Sequence, residues 1–369
     1  MGLIKRGCLT GLGLALLFAL LLLAGTRPAV AQDTDNEACL ACHSQPGLQT
    51  TLPSGEVLYT TVDPDVYNNS VHGKAGQKCV DCHTNISGYP HPPLTINTRR
   101  DLSIQLYRES CVGCHEEMYE ATLDSVHETA LEGGNNQAAI CTDCHGTHNI
   151  TDPTQPLSRS SQMCELCHSQ IFELYKQSVH GSALLGEGNE DVPSCVDCHQ
   201  VHSVAGPSEG SFHLKSPQIC AECHEDEALM SKYGLSTDVV ETYVSDFHGT
   251  TTYLFEAINP DQETNKPVCI DCHGVHNMKK VDDPESAVIK EHLLVTCQKC
   301  HPDASANFPT SWVSHYRPSV EHSPIVFFVK VFYMILIPVV LGGMAIFVVT
   351  DIYRRARRGR GAKKEELHA

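Results

Sequence analysis

The chain has 369 residues, among them 19 cysteines and 22 histidines, and a formal charge of −18. Aromatic residues are 6% and Trp312 is the one tryptophan, so a core of side chains alone would be thin and something else must fill the interior. The first 31 residues carry +3 and residues 352–369 carry +5, leaving −26 between them; so acidic a middle repels nucleic acid and anionic lipid and suits a soluble partner with a basic face.

Lys5 and Arg6 precede an apolar run from Leu12 to Leu23, and Ala29-Val30-Ala31 follows with the small-x-small pattern of a signal-peptidase site. Residues 1–31 therefore read as a secretory signal, with an uncleaved anchor as the alternative. Cys8 lies before the apolar run and leaves with the signal. Residues 32–320 are then an exported domain.

The other 18 cysteines fall into nine Cys-x-x-Cys pairs, each followed by His. In chain order they are Cys39, Cys42, His43; Cys79, Cys82, His83; Cys111, Cys114, His115; Cys141, Cys144, His145; and Cys164, Cys167, His168. Cys195, Cys198, His199; Cys220, Cys223, His224; Cys269, Cys272, His273; and Cys297, Cys300, His301 complete the series. This is the attachment motif of c-type haem. Two thiols at that spacing form thioethers to the two vinyl groups of one haem, and the next residue presents its imidazole to the iron. Disulfides suit an exported chain but demand no histidines. Zinc sites use paired cysteines without an invariable following His. Thioredoxin-like pairs come singly on a βαβ frame. The motifs thus predict nine haem c groups, each with its iron.

Two kinds of motif alternate. One kind has Asp before the second Cys: Asp81, Asp143, Asp197 and Asp271. Three of these carry a further His three places on, at His148, His202 and His276. The other kind is followed by a longer stretch ending in a lone His, and CHEEMYEATLDSVHE aligns without gaps with CHSQIFELYKQSVHG. The lone residues are His72, His127 and His180, with looser versions at His248 and His315. The chain is about four and a half copies of one two-haem unit. Ile171, Leu174, Tyr175 and Val179 have helical spacing after the Asp-free motif. No run of alternating strands is visible, and turn-rich linkers fall near 152–161, 205–211 and 282–286.

Each iron takes one ligand from its motif. The repeat supplies eight candidates for the sixth positions: His72, His127, His148, His180, His202, His248, His276 and His315. His91 is the ninth choice, with His213 and His292 as rivals; His322 sits at the membrane edge and His368 in the tail. The histidines suffice for nine closed, bis-histidine haems, and no Met stands at a repeated position, which points to low potentials. A His three residues beyond the proximal one reaches only about 10 Å, too little to wrap round its own macrocycle, so His148, His202 and His276 are expected to serve a neighbouring haem.

Ile325 to Thr350 is apolar with Lys330 as its one charge, and Val331 to Thr350 gives 20 uncharged residues. That is about 30 Å of helix, one bilayer core. The arginines and lysines from Arg354 to Lys364 follow at once, which predicts a transmembrane helix over 325–350 and a cytoplasmic tail over 351–369. Lys330 can snorkel outward. The alternative, a buried hairpin of a soluble core, does not explain the basic flank.

From Cys39 to about His315 the sequence resembles the multihaem cytochrome c superfamily, in the group with doubled CxxCH motifs. By role it is similar to the membrane-anchored NapC/NirT/NrfH quinol dehydrogenases. Those carry an N-terminal anchor and fewer haems, whereas this chain has nine motifs and a C-terminal apolar segment. The resemblance implies a mainly α and irregular fold of short helices around stacked covalent haems. It also implies haem installed outside the cytoplasm, with the haem domain on the periplasmic side.

The expected function is electron transfer between a membrane donor, a quinol or a cytochrome b partner, and an exported acceptor. Electrons are expected to enter or leave near the last motif, Cys297 to His301, with Trp312 and His315 in the stretch before the apolar helix. An oxidoreductase of the nitrite, hydroxylamine or tetrathionate class would need one open haem, often with a CxxCK motif, and there is none here. A storage or filament role would hardly need a membrane anchor.

Overall fold

The computed structural model describes residues 36–366, apart from positions 87, 89, 94, 207–209, 261, 263, 312–314 and 322. The expected signal segment with Cys8, together with Trp312, His322 and His368, lies outside the described residues.

Short helices dominate. The one sheet among the described residues is a two-stranded antiparallel hairpin, Gln49–Thr51 with Val57–Tyr59, which the sequence pattern did not announce. The helix expected after the Asp-free motif is present in Glu116–Thr122 and in the second half of Ser158–Lys176, where the backbone breaks at His168. In the latter the buried residues are Phe172 and Tyr175, while Ile171 and Leu174 stay exposed.

The chain divides into two compact units, one of Met1–Ala121 and Ala130–Asp152, the other of Thr122–Thr129 and Pro153–Ala369. The main division falls inside the first turn-rich linker. In the first unit Tyr107, Leu131, Ala138 and Ile140 form a small core, with Cys111 and Cys141 against it. In the second, Leu214, Val268 and Leu184 are buried. At about 1.5–3 kcal/mol per buried apolar side chain, clusters this small leave little to offset the ordering of so many residues. The shortage of core that composition foretells is therefore present in the fold.

The two kinds of motif differ in how their helices begin. Asp-free motifs continue a helix already running: Asn36–His43 and Ser158–Lys176 contain one, Gly210–His224 ends on one, and Lys290–Gln298 runs into Cys297. Asp-containing motifs are one-turn helices that start at their first Cys, Cys79–Cys82, Cys141–His145, Cys195–His199 and Cys269–His273. Such a helix leaves its first N–H groups unsatisfied. The Asp three places in turns back to accept the N–H just before the helix: Lys78 to Asp81 at 2.7 Å, Ile140 to Asp143 at 2.8 Å, Ser194 to Asp197 at 2.7 Å and Val268 to Asp271 at 2.7 Å. The alternation in the sequence is an alternation of capped and continued helices.

Pro324–Glu366 is one helix of 43 residues. Its segment Pro324–Arg357 is long and apolar enough to cross a membrane, and none of its apolar window is buried.

Candidate haem-binding site

The lone histidines sit one place into a capped turn. Ser70, Ser125 and Ser178 accept the N–H of Gly73, Glu128 and Gly181 at 3.0, 3.1 and 3.0 Å, and Asp246 accepts that of Gly249 at 3.0 Å. The residue before the His is also tied down. Val71 donates to Ile150 O, Val126 to Val204 O and Val179 to Met278 O, at 2.8, 3.0 and 2.7 Å. Each acceptor lies two residues beyond His148, His202 or His276. One kind of second-ligand candidate is thus hydrogen-bonded to the stretch of chain that carries the other kind.

The histidines gather in facing pairs. His72 faces His115, His127 faces His168, His180 faces His224 and His248 faces His301, with ring centres 6.0, 6.2, 6.4 and 6.2 Å apart. In each, a lone His meets the next Asp-free motif downstream. For the Asp-containing motifs the direction reverses: His83 faces His148, His199 faces His276 and His273 faces His315, at 6.1, 6.0 and 6.2 Å. His148 therefore stands opposite His83, not opposite His145 three residues away. His43, in the first motif, faces His91 at 6.1 Å. His145 and His202 have interaction partners as well.

Neither rival for the ninth place stands in these facing pairs; His213 Nε2 lies 3.0 Å from an Asp271 carboxylate oxygen, and His292 Nδ1 lies 2.9 Å from Ser286 O.

These pairs fit an iron between them. With metal–nitrogen bonds of about 2 Å and the ring nitrogen about 1.1 Å from the ring centre, two imidazoles on opposite sides of one metal have centres about 6.2 Å apart. Among the described residues no three His, Cys, Asp or Glu side chains gather as a zinc site would require, and the 18 described cysteines are all free of disulfides. His43 Nδ1 lies 2.7 Å from Thr60 O, His91 Nδ1 3.0 Å from Pro92 O and His199 Nδ1 2.9 Å from Ala205 O. An Nδ1–H donated to a carbonyl leaves Nε2 with its lone pair for the metal. Burial pushes the pKa of His83, His127, His148, His224, His273, His276 and His315 down, and that of His180 to about 4, so these rings are held neutral as ligands must be.

Apolar side chains stand open beside the motifs. Leu166 lies inside one and is 76% exposed; Val201 and Val275 lie between a motif His and the next His; Phe247, beside His248, is 80% exposed. A flat apolar macrocycle would cover such residues, and a bare metal ion would not. The thiols meet from motif to motif. Cys39 lies against Cys79, Cys111 against Cys141, Cys164 against Cys195 and Cys220 against Cys269. The second thiol of the later motif looks on to the motif after it: Cys82 lies near Cys111, Cys198 near Cys223 and Cys272 near Cys297.

Sequence reasoning missed the capping duty of the four aspartates, although the [ST]-x-x-[DE] type of spacing carries the signal. It also missed Arg100, whose guanidinium bridges Asp143 at 2.8 Å and Asn136 O at 2.6 Å beside the fourth motif.

The cytochrome c3 family model matches residues 71–169 and 135–225. The curated protein "Multiheme cytochrome MtrA" of Shewanella baltica (strain OS185) is 24% identical over 199 residues, 52% of this chain and 53% of that protein. The chain therefore spans about half the length of that relative. No solved structure matches it. Motif, repeat, facing histidines and these similarities agree in supporting a multihaem c-type cytochrome.

Proposed function

We propose that this protein carries nine haems c, all bis-histidine, and passes electrons between a membrane donor and an exported acceptor. The observation that carries the reading is the set of facing histidine pairs, each with ring centres 6.0–6.4 Å apart. The eighteen motif cysteines form the thioethers, and His43, His83, His115, His145, His168, His199, His224, His273 and His301 are the proximal ligands. His72, His91, His127, His148, His180, His202, His248, His276 and His315 are the distal ones. The haem supplies the redox change at iron. The chain supplies two imidazoles per iron, which close it to substrates, and brings cysteines of successive motifs side by side, so that neighbouring attachment edges lie close together.

Residues 1–31 direct export, and the apolar helix anchors the haem domain on the extracytoplasmic face with its basic end in the cytoplasm. A quinol or a cytochrome b subunit is the donor. A soluble acceptor with a basic face is the natural recipient, because the stretch between the termini carries −26. The test is haem content together with carbon monoxide binding. The purified full chain should yield nine haems, and after dithionite reduction carbon monoxide should leave its spectrum unchanged, because every sixth position is filled. Binding by one haem per chain would overturn the closed-carrier reading in favour of an enzyme with an open iron.

A further inference from the structure

Resting on that electron-transfer reading, we infer that the electron port to the membrane is the haem on Cys269, Cys272 and His273, whose distal ligand is His315, and not the last haem of the chain. After the final motif the chain does not run straight to the apolar helix. It returns to place His315 opposite His273, ring centres 6.2 Å apart and planes at 21°. His315 is the last histidine before the helix among the described residues, and Pro324, nine positions on, begins it. Nine residues span at most about 30 Å, and the final motif's own proximal residue, His301, is a further fourteen positions back.

This strap is not slack. Arg317 bridges Asp238, at 2.8 Å, and Glu241 on the helix Asp238–Ser245, and Ser323 N bonds Ser319 O at 3.0 Å as the long helix starts. Beside those ties Tyr316 and Val320 stand 57% and 58% exposed, ahead of the exposed Ile325 and Phe328. A tyrosine beside an aliphatic run at the mouth of a spanning helix suits the headgroup layer. The same haem has neighbours on both sides: its Cys269 lies against Cys220, and its Cys272 near Cys297. An electron arriving there can pass inward to the seventh haem or sideways to the ninth.

The test uses the full chain in vesicles of phosphatidylethanolamine and phosphatidylglycerol that carry a reduced menaquinone analogue. In the His315→Gly chain the port iron is five-coordinate. Carbon monoxide then binds it when ferrous and holds it ferrous, so it no longer accepts and passes on electrons. Membrane-driven reduction of the other haems should slow by roughly tenfold or more on adding carbon monoxide, with reduction by aqueous dithionite unaffected. Equal membrane-driven rates with and without the gas would overturn the assignment, as would failure of the analogue to reduce the wild-type chain. A second measurement covers poor assembly of the glycine variant. In His315→Met, a sulfur ligand gives one haem a distinct low-spin resonance, and a lanthanide chelate on the lipid headgroup speeds relaxation of the nearest haem. Enhancement of the Met-ligated signal supports the port; enhancement confined to the bis-histidine signals sinks it. Failure of the carrier reading itself would show separately, as carbon monoxide binding by the wild-type chain.

Discussion

His43 and His91 face each other with ring planes only 4° apart, whereas His180 and His224, at nearly the same separation, are turned by 61°. From the second motif onward the angle follows the motif type, and the first, Asp-free motif stands apart with its near-parallel pair. Pairs at the Asp-containing motifs have interplanar angles of 28°, 21° and 21°; those at the second and later Asp-free motifs have 56°, 42°, 61° and 46°. Parallel imidazoles donate into one iron d orbital and split it from its partner. Crossed imidazoles leave the two nearly degenerate. Electron paramagnetic resonance of the oxidised protein should therefore resolve two low-spin populations of similar weight, one rhombic and one with a single large g value. A spectrum of one population would contradict the alternation.

His91 as the distal ligand of the first haem makes a selective prediction. Replacing it by Ala should open one iron, so that the reduced protein binds one carbon monoxide per chain. Replacing His213 or His292 by Ala should bind none, because the Nε2 of His213 is taken by Asp271 and His292 stands opposite no motif histidine in the facing pairs. If His213→Ala opened a haem instead, the first pair would be misassigned.

Asp197 accepts both the N–H and the hydroxyl of Ser194, each at 2.7 Å, so its duty is to cap. Asp197→Ala should cost about 1 kcal/mol of stability, a fall of about 2–4 °C in Tm for a unit of this size. The haem spectrum and the carbon monoxide silence should persist. A changed axial ligation with an unchanged Tm would show that the aspartate serves the iron and not the helix.

Gln200 occupies the turn that follows the sixth motif at φ +68° and ψ +165°, a conformation that glycine adopts freely and a side chain resists. Gly146 and Gly274 hold the same place in the fourth and eighth motifs, at φ +77° and +85°. Gln200→Gly should raise stability by about 1 kcal/mol, and Gly274→Ala should lower it by at least as much. Paired thermal melts of the two variants check the sign.

Cofactor class was legible because covalent haem attachment dictates Cys-x-x-Cys-His in sequence, whatever the surrounding fold. Seven of the eight repeat-derived candidates, all but His202, face a motif histidine, and the repeat has a structural counterpart: SVHG at His72 and at His180 is one capped turn used twice. Pairing was only partly legible. Reach argues that His148 cannot serve its own motif, but nothing in a linear reading says that the Asp-free motifs after the first face a histidine from upstream and the Asp-containing motifs one from downstream. That rule lives in backbone bonds such as Val71 N to Ile150 O, between residues distant in sequence. The hairpin Gln49–Thr51 with Val57–Tyr59 was missed because strands of three residues are too short to show a period.

After His72, His180 and His248 comes a glycine with no room for a side chain, whereas Glu128 holds that place after His127. A Cβ on Gly181 would overlap the carbonyl oxygen of Tyr175, and the same conflict arises between Gly73 and Tyr67 and between Gly249 and Tyr243. The obstacle is backbone, so it cannot swing aside as a flexible side chain would. Gly181→Ala must therefore push the turn Val179–Gly181 away from Tyr175, and His180 travels with it. The expected cost is about 3 kcal/mol. Its signature is local: the iron between His180 and His224 loses its distal ligand part of the time and binds carbon monoxide in substoichiometric amount, while the other haems stay closed. The charge of the chain and every ligand residue are unchanged in this variant. A melt lowered to that extent with no carbon monoxide binding would show that the turn can shift without carrying His180 off the iron.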